Sequence, residues 1–199
     1  MKTRIAGLSV LLLAATFGLL TLSGVAHSEG TAPTKMCQGC HGKDGVSMQP
    51  KVPTIAGMSA FVHADYLYAY RDGARTCDDP KSKAMCSMAA KLTDDQIEGL
   101  AEYFAGMEFK AAAQEFDADK AALGAGIHAE NCAKCHSDGG GNPDDDASIL
   151  AGQWMPYLQS SLAQFVSGTR EQPATMQRKT EALSEADIEA LTHYYASQQ

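Results

Sequence analysis

The sequence has 199 residues, which leaves room for one large domain or two small ones. A hydrophobic content of 45% with 20% charged residues excludes wholesale disorder, and a net charge of −8 argues against a nucleic-acid binder, which needs a basic footprint. Aromatic residues are sparse, so two small domains would have thin cores and would depend on a staple or a cofactor.

In chain order, residues 1–28 read as a Sec signal peptide. Lys2 and Arg4 form the charged start, Ile5 to Val25 is apolar, and Ala26 and Ser28 have the spacing of a cleavage site. The alternative is an uncleaved membrane anchor, because the run is near the length of a spanning helix. No other apolar stretch could span a bilayer, so no stable membrane insertion is expected after cleavage. Cleavage removes two basic residues and no acidic ones, which leaves a more acidic, periplasmic protein in an oxidising compartment.

Cys37-Gln38-Gly39-Cys40-His41 comes next, followed by Pro53 and the Ile55-Ala56-Gly57 turn. Residues 60–72 read as an amphipathic helix stopped by Gly73. Thr93-Asp94-Asp95-Gln96 is a capping box, and the helix it opens carries Ile97, Leu100, Ala101 and Phe104 on one face. A linker is expected near residues 107–116, where core spacing is lost beyond Phe109 and Phe116. Ala118 to Lys134 reads as a helix leading into Cys132-Ala133-Lys134-Cys135-His136. Gly139 to Asp146 reads as a flexible, acidic loop. Residues 154–167 form another amphipathic helix, ended by Gly168, and Ser184 opens the last one, with Ile188, Leu191 and Tyr195 inside.

These elements repeat. The Cys-x-x-Cys-His motif, the Ala-Gly turn (Leu150-Ala151-Gly152) and the Gly-x-Arg landmark (Gly73–Arg75, Gly168–Arg170) recur 95 residues later, and Met85, Leu92 and Tyr103 match Met176, Leu183 and Tyr194 after a four-residue deletion. No segment alternates as a strand would. The expected fold is all-α, a tandem pair of domains covering 29–108 and 109–199.

Cys-x-x-Cys-His is the attachment site of c-type heme. Two thiols one helical turn apart form thioethers to one macrocycle, and the adjacent histidine supplies the proximal ligand to iron. A thioredoxin-like pair needs a βαβ context that is absent here. A zinc tetrahedron cannot easily use a histidine directly after the second cysteine. Two structural disulfides would leave both histidines unexplained. Two covalently attached heme c groups are therefore expected, on Cys37, Cys40, His41 and on Cys132, Cys135, His136. Met85 and Met176, being equivalent across the repeat, are the candidate sixth ligands, and Met/His ligation raises the reduction potential. Met48, Met58, Met88 and Met155 are expected as core filler. His63, His128 and His193 have no repeat partner and are expected as surface or packing residues. Pro53 is placed to accept a hydrogen bond from the axial histidine, with Ser148 at the equivalent position. Arg75 and Arg170 are either heme-propionate partners or solvated. Cys77 and Cys86, unmatched in the repeat, are expected to form a disulfide that stiffens the first methionine loop.

With these residues in place, the chain resembles the diheme class I c-type cytochromes. Its second half, Ile149-Leu150-Ala151-Gly152-Gln153-Trp154-Met155-Pro156-Tyr157-Leu158-Gln159 with the terminus Tyr195-Ala196-Ser197-Gln198-Gln199 and Gln114-Glu115-Phe116-Asp117, is similar to the cytochrome subunit of flavocytochrome c sulfide dehydrogenase. The Cys77/Cys86 pair departs from that subgroup. The resemblance implies a tandem pair of class I cytochrome c domains, not an enzyme by itself. It would take electrons from an FAD-containing flavoprotein subunit that oxidises sulfide and pass them to a soluble acceptor cytochrome. The alternatives are a free-standing diheme carrier serving a terminal oxidase or another dehydrogenase, and a heme enzyme with an open sixth position. The acidic surface would suit docking to a basic partner, or serve solubility alone.

Overall fold

The computed structural model describes residues 32–78 and 80–199, so the expected signal peptide lies outside the described residues. Among these the chain is all-helical, without strands. The first half contributes α1 (Thr34–His41), α2 (Ala60–Arg71), α3 (Pro80–Ala89) and α4 (Asp94–Ala105); the second contributes α5 (Ala118–Asn131), α6 (Met155–Val166), α7 (Ala174–Thr180) and α8 (Glu185–Ala196).

The terminal helix of each half is set by local chemistry. Thr93 accepts from the Gln96 amide while Gln96 reaches back to the Thr93 amide, and Asp94 and Asp95 fill the first turn of α4. Ser184 and Asp187 do the same for α8. The inner faces follow helical spacing: Ile97, Leu100, Ala101 and Phe104 are buried in α4, and Ile188, Leu191 and Tyr195 in α8. Helix α2 packs on α4, and α8 packs on both α5 and α6. The resulting cores are small, one around Leu92, Ile97, Leu100 and Phe104, the other around Leu158, Leu191 and Tyr195.

Four local expectations change. Helix α5 ends at Asn131, short of Lys134, because the Cys132 and Ala133 amides both turn back to the His128 carbonyl. The acidic loop is tied down: Asp145 accepts from the Ser137 amide at 2.6 Å and from Asn142 Nδ2 at 3.0 Å. The linker is strapped to the second half, with Ala112 N 2.7 Å from the Gly152 carbonyl and Gln114 bonded to Gln153 O and Met155 N. Met48 is 81% exposed and fills no core; it stands in the exposed stretch of residues 48–51 that precedes Pro53. Met58, by contrast, is buried.

The halves meet through their Ala-Gly turns. Gln153 grips Thr54 twice, accepting from its amide and donating to its carbonyl, each at 2.9 Å. Trp154 Nε1 donates to the Ser47 carbonyl at 2.9 Å. The repeat-equivalent contact is apolar: Met58 stands where the second half has Gln153, and it packs with Val62 on Ile149, the counterpart of Thr54. One side of the interface supplies hydrogen-bond direction and the other supplies apolar burial.

Gly124 is where α5 meets α8. A Cβ there would lie 2.6 Å from the Ala190 carbonyl carbon and 2.8 Å from Tyr194 Cβ. The obstacle is backbone, so the helices must separate. Gly124→Ala should destabilise the second half by about 1–3 kcal/mol and lower its melting temperature in thermal unfolding followed by circular dichroism, while the α2–α4 pair keeps its own transition.

Candidate functional site

The last turn of α1 carries Cys37, Cys40 and His41. The i, i+3 spacing puts both thiols on one side of the helix, and the histidine follows directly. Cys40 is exposed and Cys37 half-buried, its thiol pushed up to about 11 by burial. His41 is buried, and its Nδ1 lies 2.9 Å from the Pro53 carbonyl. Burial lowers its proton affinity and the Pro53 carbonyl opposes this only in part, so the ring is held neutral. With Nδ1–H donating to that carbonyl, Nε2 keeps its lone pair for a metal.

Helix α3 brings Met85 and Met88 to the same cavity. The Cys77–Cys86 disulfide, with Cα atoms 6.2 Å apart, ties the start of this segment to the residue after Met85. Cys132, Cys135 and His136 form the second site in the turn beyond α5, and α7 brings Met176. His136 Nδ1 is buried without a hydrogen-bond partner. It faces the Ser148 backbone; burial lowers its proton affinity, and that backbone and Asp145 partly restore it.

The two sites share one cavity of about 1410 Å³, lined by both cysteine–histidine motifs, Met85, Met88 and Met176. Between them sit Arg75 and Arg170. Arg170 is 5% exposed and therefore not solvated. Burial works against its charge, but Tyr157, Tyr66 and Tyr70 around it outweigh that and hold the proton on. Arg170 lies 4.3 Å from the Phe165 ring centre and Arg75 4.3 Å from that of Tyr70, a repeat-symmetric pair. Among the described residues neither arginine has a carboxylate within ion-pair distance. Two cations facing a cavity with no carboxylate in ion-pair reach fit a ligand that brings its own anions. The residues present fit two hemes: two thiol pairs, histidine nitrogens and methionine sulfurs lining one large, mostly apolar cavity, and two cations without carboxylate partners.

The comparisons agree. The family model described as cytochrome c oxidase, cbb3-type, subunit III matches residues 32–104 and again 119–194. Cytochrome c4 of Pseudomonas aeruginosa is 30% identical over 190 residues, spanning 88% of this chain and 92% of that protein. The chain belongs to the diheme cytochrome c4 family. The structure of Acidithiobacillus ferrooxidans cytochrome c4 superposes with a TM-score of 0.70 at 26% identity, covering 82% of this chain and 99% of that one. A thiosulfate dehydrogenase electron acceptor of Thiomonas intermedia is 28% identical over 201 residues, covering 92% of this chain and 88% of that protein. This diheme cytochrome accordingly carries two covalently bound heme c groups.

The three remaining histidines of the two halves take supporting places in this cytochrome. His63 is buried beside His41 with its Nε2 unpartnered, and burial, opposed in part by the Ile55 backbone, brings it down to about 4. His128 is buried against Tyr195, its Nδ1 3.1 Å from the hydroxyl. Both are packing histidines, whereas His193 caps the linker by accepting from the Asp117 amide at 2.9 Å. Tyr66, Tyr157 and Gln153 read as unremarkable helix and turn residues until their cross-domain partners are seen.

Two outcomes follow. A histidine held neutral in the fold stabilises it above its ordinary value near 6.5, and that share is lost as pH falls from there to about 4. His63→Leu, which copies Leu158 of the second half, should remove up to about 3 kcal/mol of this acid sensitivity in denaturant titrations between those pH values. Replacing Cys77 and Cys86 together with serine should cost about 2–3 kcal/mol. The methionine–iron charge-transfer absorbance should weaken on acidification or heating for one heme only, the second site having no staple.

Proposed function

We propose that this cytochrome is a free-standing periplasmic carrier that takes electrons from a dehydrogenase of reduced sulfur compounds and delivers them to a terminal oxidase or another cytochrome. The observation that carries the reading is the single cavity holding both motifs across the domain interface, so that one chain offers two adjoining redox sites. The relative that serves as a thiosulfate dehydrogenase electron acceptor spans nearly all of both chains and supports a dehydrogenase donor. The flavocytochrome-subunit reading of the second half gives way to this one, since cytochromes c4 match along both halves.

Each heme, when bound, supplies an iron that accepts and returns one electron. The chain does the rest. Cys37 with Cys40, and Cys132 with Cys135, tether the rings so that domains with thin cores keep them. His41 and His136 present imidazole nitrogens, the first oriented by Pro53. Met85 and Met176, which line the same cavity, would supply sulfur to the irons, a ligation that would favour the ferrous state. Arg75 and Arg170 balance propionate charge between the two sites, which lowers the cost of burying it. On this reading the two domains divide between residues 108 and 109, within the linker expected near residues 107–116. Among the described residues no helix is long and apolar enough to cross a membrane.

The test is reduction by defined donors. The ferric protein, mixed with a thiosulfate dehydrogenase and thiosulfate, should take up two electrons per chain, with a rate that falls as salt rises. Reduction only by a sulfide-oxidising flavoprotein, through a stable complex with it, would overturn the free-standing reading.

A further inference from the structure

The two axial histidines are supported differently, and the difference centres on Tyr66. At the first site His41 Nδ1 meets the Pro53 carbonyl at 2.9 Å. The repeat-equivalent residue is Ser148, whose backbone faces His136 Nδ1 without a closed hydrogen bond. A proline ring fixes its own φ, and a serine does not. Ser148 is held instead from the other domain, by the Tyr66 hydroxyl 2.6 Å from its Oγ. The Tyr66 ring also lies near both guanidiniums, 5.2 Å from Arg75 and 5.4 Å from Arg170. The second domain has Ser161 at the position equivalent to Tyr66, so it offers no phenol there.

We propose that Tyr66 is a positioning residue through which the first domain sets the reduction potential of the second heme, by holding the Ser148 carbonyl toward His136 Nδ1. The inference rests on His136 being the axial ligand of that heme. A well-placed acceptor for Nδ1–H gives the imidazole more anionic character, which favours ferric iron and lowers the potential. Releasing Ser148 withdraws the acceptor and raises it. Phenylalanine at position 66 keeps the ring beside the arginines and removes only the hydroxyl, so the fold is expected to survive the test.

The experiment compares wild-type, Tyr66→Phe, Ser148→Ala and the double variant as diheme holoproteins. Potentiometric titration gives both midpoints, and nitrogen-15 NMR of the ferrous state follows the two axial Nδ1–H protons and assigns each heme. Tyr66→Phe should raise the second midpoint, changing the electron partition between hemes about tenfold, or about 59 mV for a one-electron couple. The His136 Nδ1–H should exchange faster, while that of His41, held by Pro53, stays as it was. Ser148→Ala should give the same shift, and the double variant no more than either. Thr76→Ala serves as control: it removes a 3.0 Å interdomain bond to the Thr169 carbonyl, away from Ser148, and should leave both midpoints in place. An unchanged or lowered second midpoint in Tyr66→Phe overturns the inference. So does an equal shift of both hemes, or the same shift in Thr76→Ala. If His136→Ala leaves the second heme spectrum intact, the ligand assignment itself falls, and the inference with it.

Discussion

Two buried or half-buried guanidiniums without a carboxylate between them govern this architecture. Uncompensated charge in a protein interior costs several kcal/mol per ion after relaxation. Arg170 meets only aromatic rings and tyrosine hydroxyls among the described residues, and Arg75 stands across the same tyrosine. Such a pair is stable where anions arrive with a ligand. The apolar cavity on either side makes the same demand in volume. Neither half builds a large core of its own: the buried clusters are a handful of side chains on α4, and fewer on α6 and α8. Tethered hemes would complete the core and the charge balance at once, which is how four α-helices a side among the described residues can suffice.

The duplication keeps the order of its backbone landmarks and is unequal in chemistry. Gln153 opposite Thr54 is matched by Met58 opposite Ile149. A hydrogen-bonded pair fixes register, and an apolar pair supplies burial without direction. An interface built from two identical polar grips would have to desolvate twice as many polar groups. Two identical apolar contacts would be free to slide. The mixed solution gives one orientation of the two cavities at lower desolvation cost, and orientation is what a pair of redox sites needs.

Much of this was legible in the sequence because it is local. The capping boxes at Thr93 and Ser184, the glycine stops at Gly73 and Gly168, and the two Cys-x-x-Cys-His motifs each carry their meaning within a few residues. Helices α3 and α7 were not foreseen. They begin at prolines, are short, and turn their methionines to the cavity, so no apolar stripe marks them. Met48 misled for a related reason: a methionine does not by itself mark a buried position, and here residues 48–51 run exposed along the surface. The linker's ties leave no mark in the sequence because they are amide side chains and backbone groups, Gln114 and Ala112, which leave no hydrophobic period. The interface was out of reach for the plainest reason. Its bonds join residues 82 to 107 positions apart, as in Tyr66 to Ser148 and Trp154 to Ser47.

The same asymmetry extends to the proposed iron ligands. The first site holds His41 with a proline carbonyl from its own domain and braces its methionine helix with a disulfide. The second has serine in place of proline and no cysteine pair on α7, and its support reaches it from the neighbouring domain and from the Asp145-centred loop. One site is thus self-contained, and the other is conditional on the interface. Repeats that began alike have a simple physical route to unequal potentials here, since the conditional site can be tuned by changes in the first domain without altering a ligand. A carrier that must accept electrons at one point and release them at another gains direction from that inequality, because the thermodynamic gradient is then written into the packing between its halves.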